Sequence, residues 1–307
     1  MESGFLADNA RGSFSPVRLW VCVCGGSGVR RVSVARLLAM ADGMSSRDRE
    51  IVQAVARLTL VSGAQIINLF FSDIPEASTR ARRSRRVLGR LVEQGVLARL
   101  ERPRLGGAGG GSSSWVYALG PVGRRIVAYW TGEGLPRSRR LEEPSVAWTT
   151  HRLAVSDLYV ELRAAEREGR VELLAFDAEP ACWRHFTRLG GAPGVLKPDA
   201  FVRLGVGEYE DSFFAEVDLG SERRGQLVRQ HRAYGEYFRS GVEQSNTGVF
   251  PAVVWLVPDT KRAALFEDIA RGLPEQLRAL FTLATTENAL DVFCGNGAEP
   301  QTEGAGS

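Results

Sequence analysis

Three acidic residues in the second half of the chain have a spacing that could bring them together around a divalent cation. Asp199 directly follows Pro198, and Glu216 and Asp218 are one residue apart. Because side chains alternate along a β-strand, Glu216 and Asp218 are expected to lie on the same face. An antiparallel return of the chain would bring Asp199 beside them. Three carboxylates this close repel one another unless a cation binds or their pKa values rise, so we expect them to ligate Mg²⁺ or Mn²⁺.

The surrounding pattern predicts an α/β sandwich that positions these acids. Apolar residues have helical spacing over residues 151–168 and again over about 222–239. Strand-like segments occupy residues 171–176, 200–206, 213–219 and 252–257, and the middle two are expected to form a hairpin through residues 207–211. His151 and Asp157, on the first helix, could complete the site, although a histidine in this position is more often a core or interface residue.

The first half carries a strongly basic helix. Residues 78–95 have one apolar stripe and a single acid, Glu93, against six cations: Arg80, Arg82, Arg83, Arg85, Arg86 and Arg90. A guanidinium group donates two parallel hydrogen bonds to phosphates and to guanine edges, so the helix is a candidate DNA contact. The alternative is a solvated helix face, which is the usual role of a run of charges.

The elements around this helix follow the order of a winged helix-turn-helix. Helices are predicted from Ser46 and from Ser62 before the basic helix, and strands over residues 96–102 and 115–119 after it. A glycine-serine loop over residues 105–113 separates the strands, and a last helix runs from Pro121 to about Gly132. We therefore expect the basic helix to enter the major groove of duplex DNA. Three loop-flanking cations would lie near phosphates: Arg99, Arg102 and Arg104.

The acidic segment resembles the PD-(D/E)xK nuclease superfamily. Gln230 and Tyr234 resemble the Gln-x-x-x-Tyr element of its RecB-type members, but Asp218 stands where the family has a lysine. That lysine helps to position the water and to stabilise the negative charge that develops on the phosphorane oxygens. Lys197 is the nearby lysine that could replace it. The resemblance implies a catalytic site formed by Asp199, Glu216, Asp218, Lys197, Gln230 and Tyr234.

Residues from about 46 to 257 also resemble the replication-relaxation family of actinobacterial plasmids and mobile elements. The motifs that carry this resemblance are RDREI at 47–51, LVEQG at 91–95, HRLAV at 151–155 and EVDLGSE at 216–222. The resemblance implies a role in plasmid replication or transfer. The expected partners are double-stranded DNA and other replication or conjugation proteins such as an FtsK-type translocase, with homodimerisation as a further expectation.

Length and composition limit the number of domains that the chain can form. The 307 residues, 44% hydrophobic and 24% charged, predict two folded domains. We expect a disordered extension over residues 1–42, a winged-helix domain over 43–132, a basic linker over 133–146, a nuclease-like α/β domain over 147–296 and a disordered tail over 297–307. Alternatively, the first residues belong to an over-long reading frame that truly starts at Met40 or Met44.

Cysteine usage and hydropathy favour a cytoplasmic protein. The four cysteines are too few and too scattered for a disulfide framework, and the three histidines do not complete a zinc pattern with them. No apolar run is long enough to cross a membrane.

Three interpretations of the acids Asp199, Glu216 and Asp218 remain: solvated residues on a hairpin, a nuclease-like fold retained for DNA binding, and an active metal-dependent endonuclease. The aspartate at position 218 favours DNA binding without cleavage.

Overall fold

The computed structural model describes residues 32–100, 115–133 and 144–295. Within them the chain is mixed α and β, as the sequence predicts. The elements of the first half are α1 (Val34–Asp42), α2 (Ser46–Leu58), β1 (Val61–Ser62), α3 (Gly63–Phe70), α4 (Ala77–Glu93), β2 (Leu97–Arg99), β3 (Val116–Leu119) and α5 (Pro121–Thr131).

The second half contains a larger sheet and the helices that cover it. Its elements are α6 (Val146–Arg167), β4 (Glu172–Ala178), β5 (Arg184–Thr187), β6 (Pro193–Leu196), β7 (Ala200–Val206), β8 (Tyr209–Val217), α7 (Arg224–Ser240), α8 (Val242–Thr247), β9 (Ala252–Val257), α9 (Thr260–Arg271), α10 (Glu275–Arg278), β10 (Phe281–Thr285) and α11 (Ala289–Phe293).

Local capping explains where the first helices begin and end. The Ser45 hydroxyl accepts a hydrogen bond from the Asp48 backbone N–H at the start of α2. Ser62 and Gln65 form a reciprocal capping box at the start of α3, which satisfies two backbone donors that the helix leaves free. Gly95 follows the end of α4 with a φ of 70°, a conformation that glycine adopts without steric cost.

The small sheet of the first half is antiparallel, with strand order β1-β3-β2. The register pairs Val61 with Tyr117 and Leu97 with Leu119. Helices α2, α3 and α4 pack together, and fully buried side chains such as Ile51, Ile66 and Leu91 form their core. The glycine-serine loop between β2 and β3, with Arg102 and Arg104, lies outside the described residues.

Part of the predicted N-terminal extension is ordered, which corrects the expectation for residues 34–42. This segment forms α1, capped by Ser33, and the side chain of Leu37 is fully buried in the core. The helix packs on α5, and Arg125 Nη1 donates to the Val32 carbonyl oxygen at 2.9 Å. Its short apolar stripe falls on a single face, so burial against α5 stabilises a helix that is too short to stand alone.

The larger sheet has strand order β10-β9-β8-β7-β4. Strands β4, β7 and β8 are antiparallel neighbours, whereas β8, β9 and β10 run parallel. Alternation sends Phe213 and Ala215 into the core that includes α6, while Phe214 joins the aromatic core beneath α7 and α9. The sheet therefore lies between two helical layers. The predicted hairpin between β7 and β8 is present, as are the strands predicted at 200–206 and 252–257.

The two halves share one continuous core, in which α6 packs on α2, α3 and β1, and β4 packs on α2. The Ser156 hydroxyl donates to the Leu60 carbonyl at 2.7 Å, and Gln65 Nε2 donates to the Leu153 carbonyl at 2.9 Å and to Asp157 Oδ1 at 2.6 Å. Residues 134–143 of the predicted basic linker lie outside the described residues. The halves are thus packed together by buried contacts, which the sequence pattern did not predict.

Cys182 and Cys294 are both buried and free. Nothing in the described ranges is a helix both long enough and apolar enough to span a membrane.

Candidate functional site

The basic face of α4 is exposed to solvent. Ser84, Leu88 and Leu91 bury one side of the helix. The opposite side presents four exposed arginines that form no ion pair with any described residue: Arg82, Arg83, Arg85 and Arg86. Such a set of cations on one rigid element can bind a polyanion, because most of the guanidinium donors stay available.

The other two predicted cations on α4 are used inside the protein. Arg90 forms an ion pair with Asp48 of α2, whose side chain is only 5% exposed. Arg80 Nη1 donates to the Ile74 carbonyl at 3.2 Å. The structure therefore brings four of the six predicted arginines into one free cationic face, and gives Arg80 and Arg90 contacts that hold α4 in place.

An aromatic residue that sequence reasoning overlooked lies at the base of the loop between β2 and β3. The guanidinium carbon of Arg99 lies 4.6 Å from the ring centroid of Trp115, and both side chains are exposed. Arg99 ends β2 and Trp115 precedes β3, so the pair spans the two sides of the loop. A tryptophan directly after a glycine-serine run, opposite a strand-ending arginine, is the signal in the sequence that could have identified it.

The three predicted carboxylates are each bound by a different helix. Asp199 Oδ1 lies 2.8 Å from His151 Nε2 of α6, and its Oδ2 accepts the Val217 backbone N–H at 2.8 Å. Asp157, the other residue considered for this site, instead accepts from Gln65 at the contact between the two halves. His151 thus joins the cluster and Asp157 does not.

Glu216 is buried beneath α7. The Tyr234 hydroxyl donates to Glu216 Oε1 at 2.5 Å, and the glutamate is only 4% exposed. Burial raises the pKa of Glu216 well above its ordinary value, and the negative charge of Asp199 raises it further. Burial likewise raises the pKa of Tyr234. Burial therefore favours the protonated, neutral forms of Glu216 and Tyr234, which share one hydrogen bond.

Asp218 lies just beyond the end of β8 and pairs with Arg262 of α9. The Nε and Nη2 atoms of Arg262 contact the two carboxylate oxygens, the latter at 3.0 Å, and Nη2 also donates to the Glu222 carbonyl at 2.8 Å. The Asp218 side chain has no exposed surface. The sequence offered no signal for this partner, because the two residues are 44 positions apart.

Four of the residues predicted to be catalytic line one cleft of about 260 Å³ between β6 and α7: Lys197, Glu216, Gln230 and Tyr234. Gln230 and Tyr234 are four residues apart, so the helix places them on the same face. Lys197 Nζ lies 4.3 Å from the ring centroid of Trp183. Asp199 and Asp218 are not among the residues that line this cleft.

The predicted metal ligands do not fit a divalent cation in this arrangement. Both carboxylate oxygens of Asp218 are held by Arg262, whereas a metal needs carboxylates with free oxygens. Across the ranges that the structure describes, no group of three or more His, Cys, Asp or Glu side chains is arranged to hold a metal ion.

Opposing effects act on the pKa of His151, and their net result is an increase. Burial disfavours the charged imidazolium, but the hydrogen bond and the negative charge of Asp199 outweigh that effect, so the pKa of His151 lies above its ordinary value of 6.5. Beside it, Arg152 pairs with Glu179, whose pKa is raised by burial. These contacts link the start of α6 to the segments that precede β5 and β7.

These features define a protein of two joined parts: a small helical unit with an exposed cationic helix, and an α/β unit with a buried carboxylate network. The model of the replication-relaxation family matches residues 52–253, more than half of the chain. The chain therefore belongs to the replication-relaxation family, which suggests a role in the replication of plasmids or mobile elements. No curated protein and no solved structure matches the chain.

Proposed function

We propose that the protein binds duplex DNA through α4 in the replication or transfer of a plasmid or mobile element. The observation that carries this proposal is the free cationic face of Arg82, Arg83, Arg85 and Arg86. Phosphates are the dominant source of affinity in DNA binding, and arginine is well suited to contact both phosphates and guanine edges.

The topology around α4 supports the same proposal. Three helices, α2, α3 and α4, precede two antiparallel strands, and β1 completes the sheet beside β3. This order is typical of winged-helix domains, in which the third helix enters the major groove. We infer that Arg99 and Trp115, at the base of the loop between β2 and β3, contact the adjacent DNA backbone.

Measuring duplex DNA binding by fluorescence anisotropy at several salt concentrations tests the proposal. Replacing Arg82, Arg83, Arg85 and Arg86 together with alanine should weaken binding and flatten the dependence of log Kd on log salt by about 0.9 for each phosphate that the variant no longer neutralises. The matched control replaces four exposed arginines of the α/β unit and so removes the same net charge: Arg203, Arg223, Arg232 and Arg239.

The control should bind nearly as the wild type does, because its substitutions lie away from α4. Both variants should retain the melting temperature of the wild type, since the residues are exposed. Unchanged affinity and salt slope in the α4 variant would refute the assignment. Equal reductions of affinity in both variants would show that the total charge, rather than α4, drives binding.

DNA cleavage by a metal-dependent endonuclease is the second candidate. One observation favours it: Lys197, Glu216, Gln230 and Tyr234 line a common cleft. The pairing of Asp218 with Arg262 weighs against it, because the arginine holds both carboxylate oxygens. Incubating supercoiled plasmid with the protein, with and without magnesium or manganese, separates the two candidates. Magnesium-dependent nicking that Glu216→Gln abolishes would establish cleavage, and intact plasmid under DNA-binding conditions would support binding alone.

Partner proteins are a further part of the proposal. The proposed partners are other replication or conjugation proteins, such as an FtsK-type translocase, and a second copy of the chain. Sedimentation of the purified protein with and without duplex DNA would give its oligomeric state.

A further inference from the structure

A glycine interrupts the cationic face of α4. Gly89 is exposed and lies in the second half of the helix, three residues after Arg86 and four after Arg85. Residues three and four apart are neighbours on a helix surface, so Gly89 lies directly beside these arginines. The face therefore has a bare patch of backbone next to its strongest concentration of positive charge.

Neither backbone conformation nor packing in the described protein requires glycine at this position. Gly89 is not among the residues with positive φ, and a Cβ built on it meets no heavy atom within 4 Å. Gly120 and Gly123, by contrast, have carbonyl oxygens within 2.2 and 2.1 Å of the same ideal position and cannot accept a side chain without movement. Glycine is also among the least favourable residues in a helix interior. Its presence is thus unexplained by the fold.

We propose that Gly89 is the point of closest approach between α4 and duplex DNA, and that its missing side chain lets the helix sit deep in a B-form major groove. The inference rests on the proposed function. The B-form major groove admits a helix, whereas that of an A-form RNA duplex is too narrow for side chains to read. Close approach of the backbone brings Arg82, Arg85 and Arg86 within reach of base edges rather than phosphates alone.

The proposal predicts that stability and affinity move in opposite directions when Gly89 gains a side chain. Gly89→Ala and Gly89→Gln should each raise the Tm, by about 2 °C for alanine, because both residues favour the helix and meet no neighbour. Affinity for duplex DNA should fall several-fold for Gly89→Ala and by about tenfold or more for Gly89→Gln. Neither substitution changes the net charge, so the salt dependence should change little.

Gly225 provides the matched control. It is an exposed glycine in the first turn of α7, and a Cβ built on it meets only the Arg229 side chain at an ordinary distance of 3.8 Å. Gly225→Ala should leave the affinity for DNA unchanged. An RNA duplex of the same sequence should bind weakly to the wild type, and the Gly89 variants should bind it no less tightly than the wild type does.

The experiment measures duplex DNA and RNA binding by anisotropy, and the Tm by calorimetry, for the full chain and its variants. The proposal is supported if the Gly89 variants are more stable than the wild type but bind DNA more weakly, and if Gly225→Ala binds DNA as the wild type does. DNA affinity unchanged in Gly89→Gln, combined with weaker binding by the four-arginine variant, would overturn it while leaving the proposed function intact. If the wild type binds no duplex DNA, both the proposed function and the inference about Gly89 are wrong.

Discussion

Arg90 Nη2 lies 2.8 Å from each of the two carboxylate oxygens of Asp48. Asp48 is on α2 and Arg90 is near the end of α4, so the pair fixes the angle between the two helices. The Asp48 backbone N–H also donates to the Ser45 hydroxyl at the cap of α2. The charge of Arg90 is thereby used within the fold, while the four arginines of the cationic face form no ion pair with any described residue.

This relationship predicts opposite effects for two arginines of the same helix. Arg90→Ala should lower the free energy of unfolding by about 2 kcal/mol, because it leaves the buried Asp48 carboxylate without its charged partner. Arg86→Ala should cost less than about 0.5 kcal/mol, since Arg86 is exposed. Urea unfolding measures both, and equal stability of the two variants would contradict the structural role of Arg90.

For DNA affinity we expect the opposite order, with Arg86→Ala having a larger effect than Arg90→Ala. Arg86→Ala should weaken duplex binding, whereas Arg90→Ala should do so only as far as it loosens α4. Asp48→Asn is the useful partner variant, because it releases Arg90 without removing its charge. Its binding, measured by the same anisotropy titration, should match or exceed that of the wild type.

Helix α1 should be needed for full stability. Leu37→Ala removes a fully buried side chain from the core and should cost about 3 kcal/mol. Val34→Ala, on the exposed side of the same helix, should cost about 0.5 kcal/mol or less. Chemical denaturation of the full chain checks both. If Leu37→Ala unfolded at the same denaturant concentration as the wild type, the segment would be dispensable, as composition alone predicts.

The contact between the two halves should depend on Gln65. Gln65→Leu keeps the side-chain size but removes the donor to Asp157 and the Leu153 carbonyl, and it also removes half of the capping box of α3. We expect the free energy of unfolding to fall by about 1 kcal/mol, because the hydrogen bonds to α6 and half of the cap of α3 are lost. Gln53→Leu, at an exposed position of α2, is the control and should be nearly neutral. A single unfolding transition in the wild type would accord with the shared core.

Glu216 should make stability depend on pH. Its folded-state pKa is raised by burial above the ordinary value of 4.5, so the neutral carboxyl contributes stability that is complete below that value and is lost as the pH rises through the folded pKa. Glu216→Gln keeps an oxygen to accept from Tyr234 and cannot ionise. The variant should therefore equal the wild type in acid and become progressively more stable than it as the pH rises.

Melting temperatures of the wild type and Glu216→Gln across a pH series measure this effect. Glu208→Gln, at the exposed turn between β7 and β8, is the control and should follow the wild type throughout. A constant difference between Glu216→Gln and the wild type at every pH would show that Glu216 does not titrate in the accessible range.

Local sequence signals predicted the six helices α2 to α7 and the longer strands, but not α1 or the four helices α8 to α11. The serine caps of α2 and α3, Gly95 after α4 and the apolar alternation of β7 depend only on neighbouring residues, so the pattern contains them. The pattern missed β5, β6 and β10, since strands of four or five residues are too short to show alternation and depend on a pairing partner. It also missed the burial of α1, which only α5 provides.

The sequence by itself determined the mixed α and β class, the basic character of α4 and the placement of Asp199 directly before β7 and of Glu216 on the neighbouring β8, because periodicity and charge act over a few residues. Only the tertiary structure decided which charges stay free. Arg90 and Asp218 look like their neighbours in the sequence, yet their partners Asp48 and Arg262 lie 42 and 44 residues away. The energy of a charged group depends on what surrounds it in space, and packing brings those distant groups together.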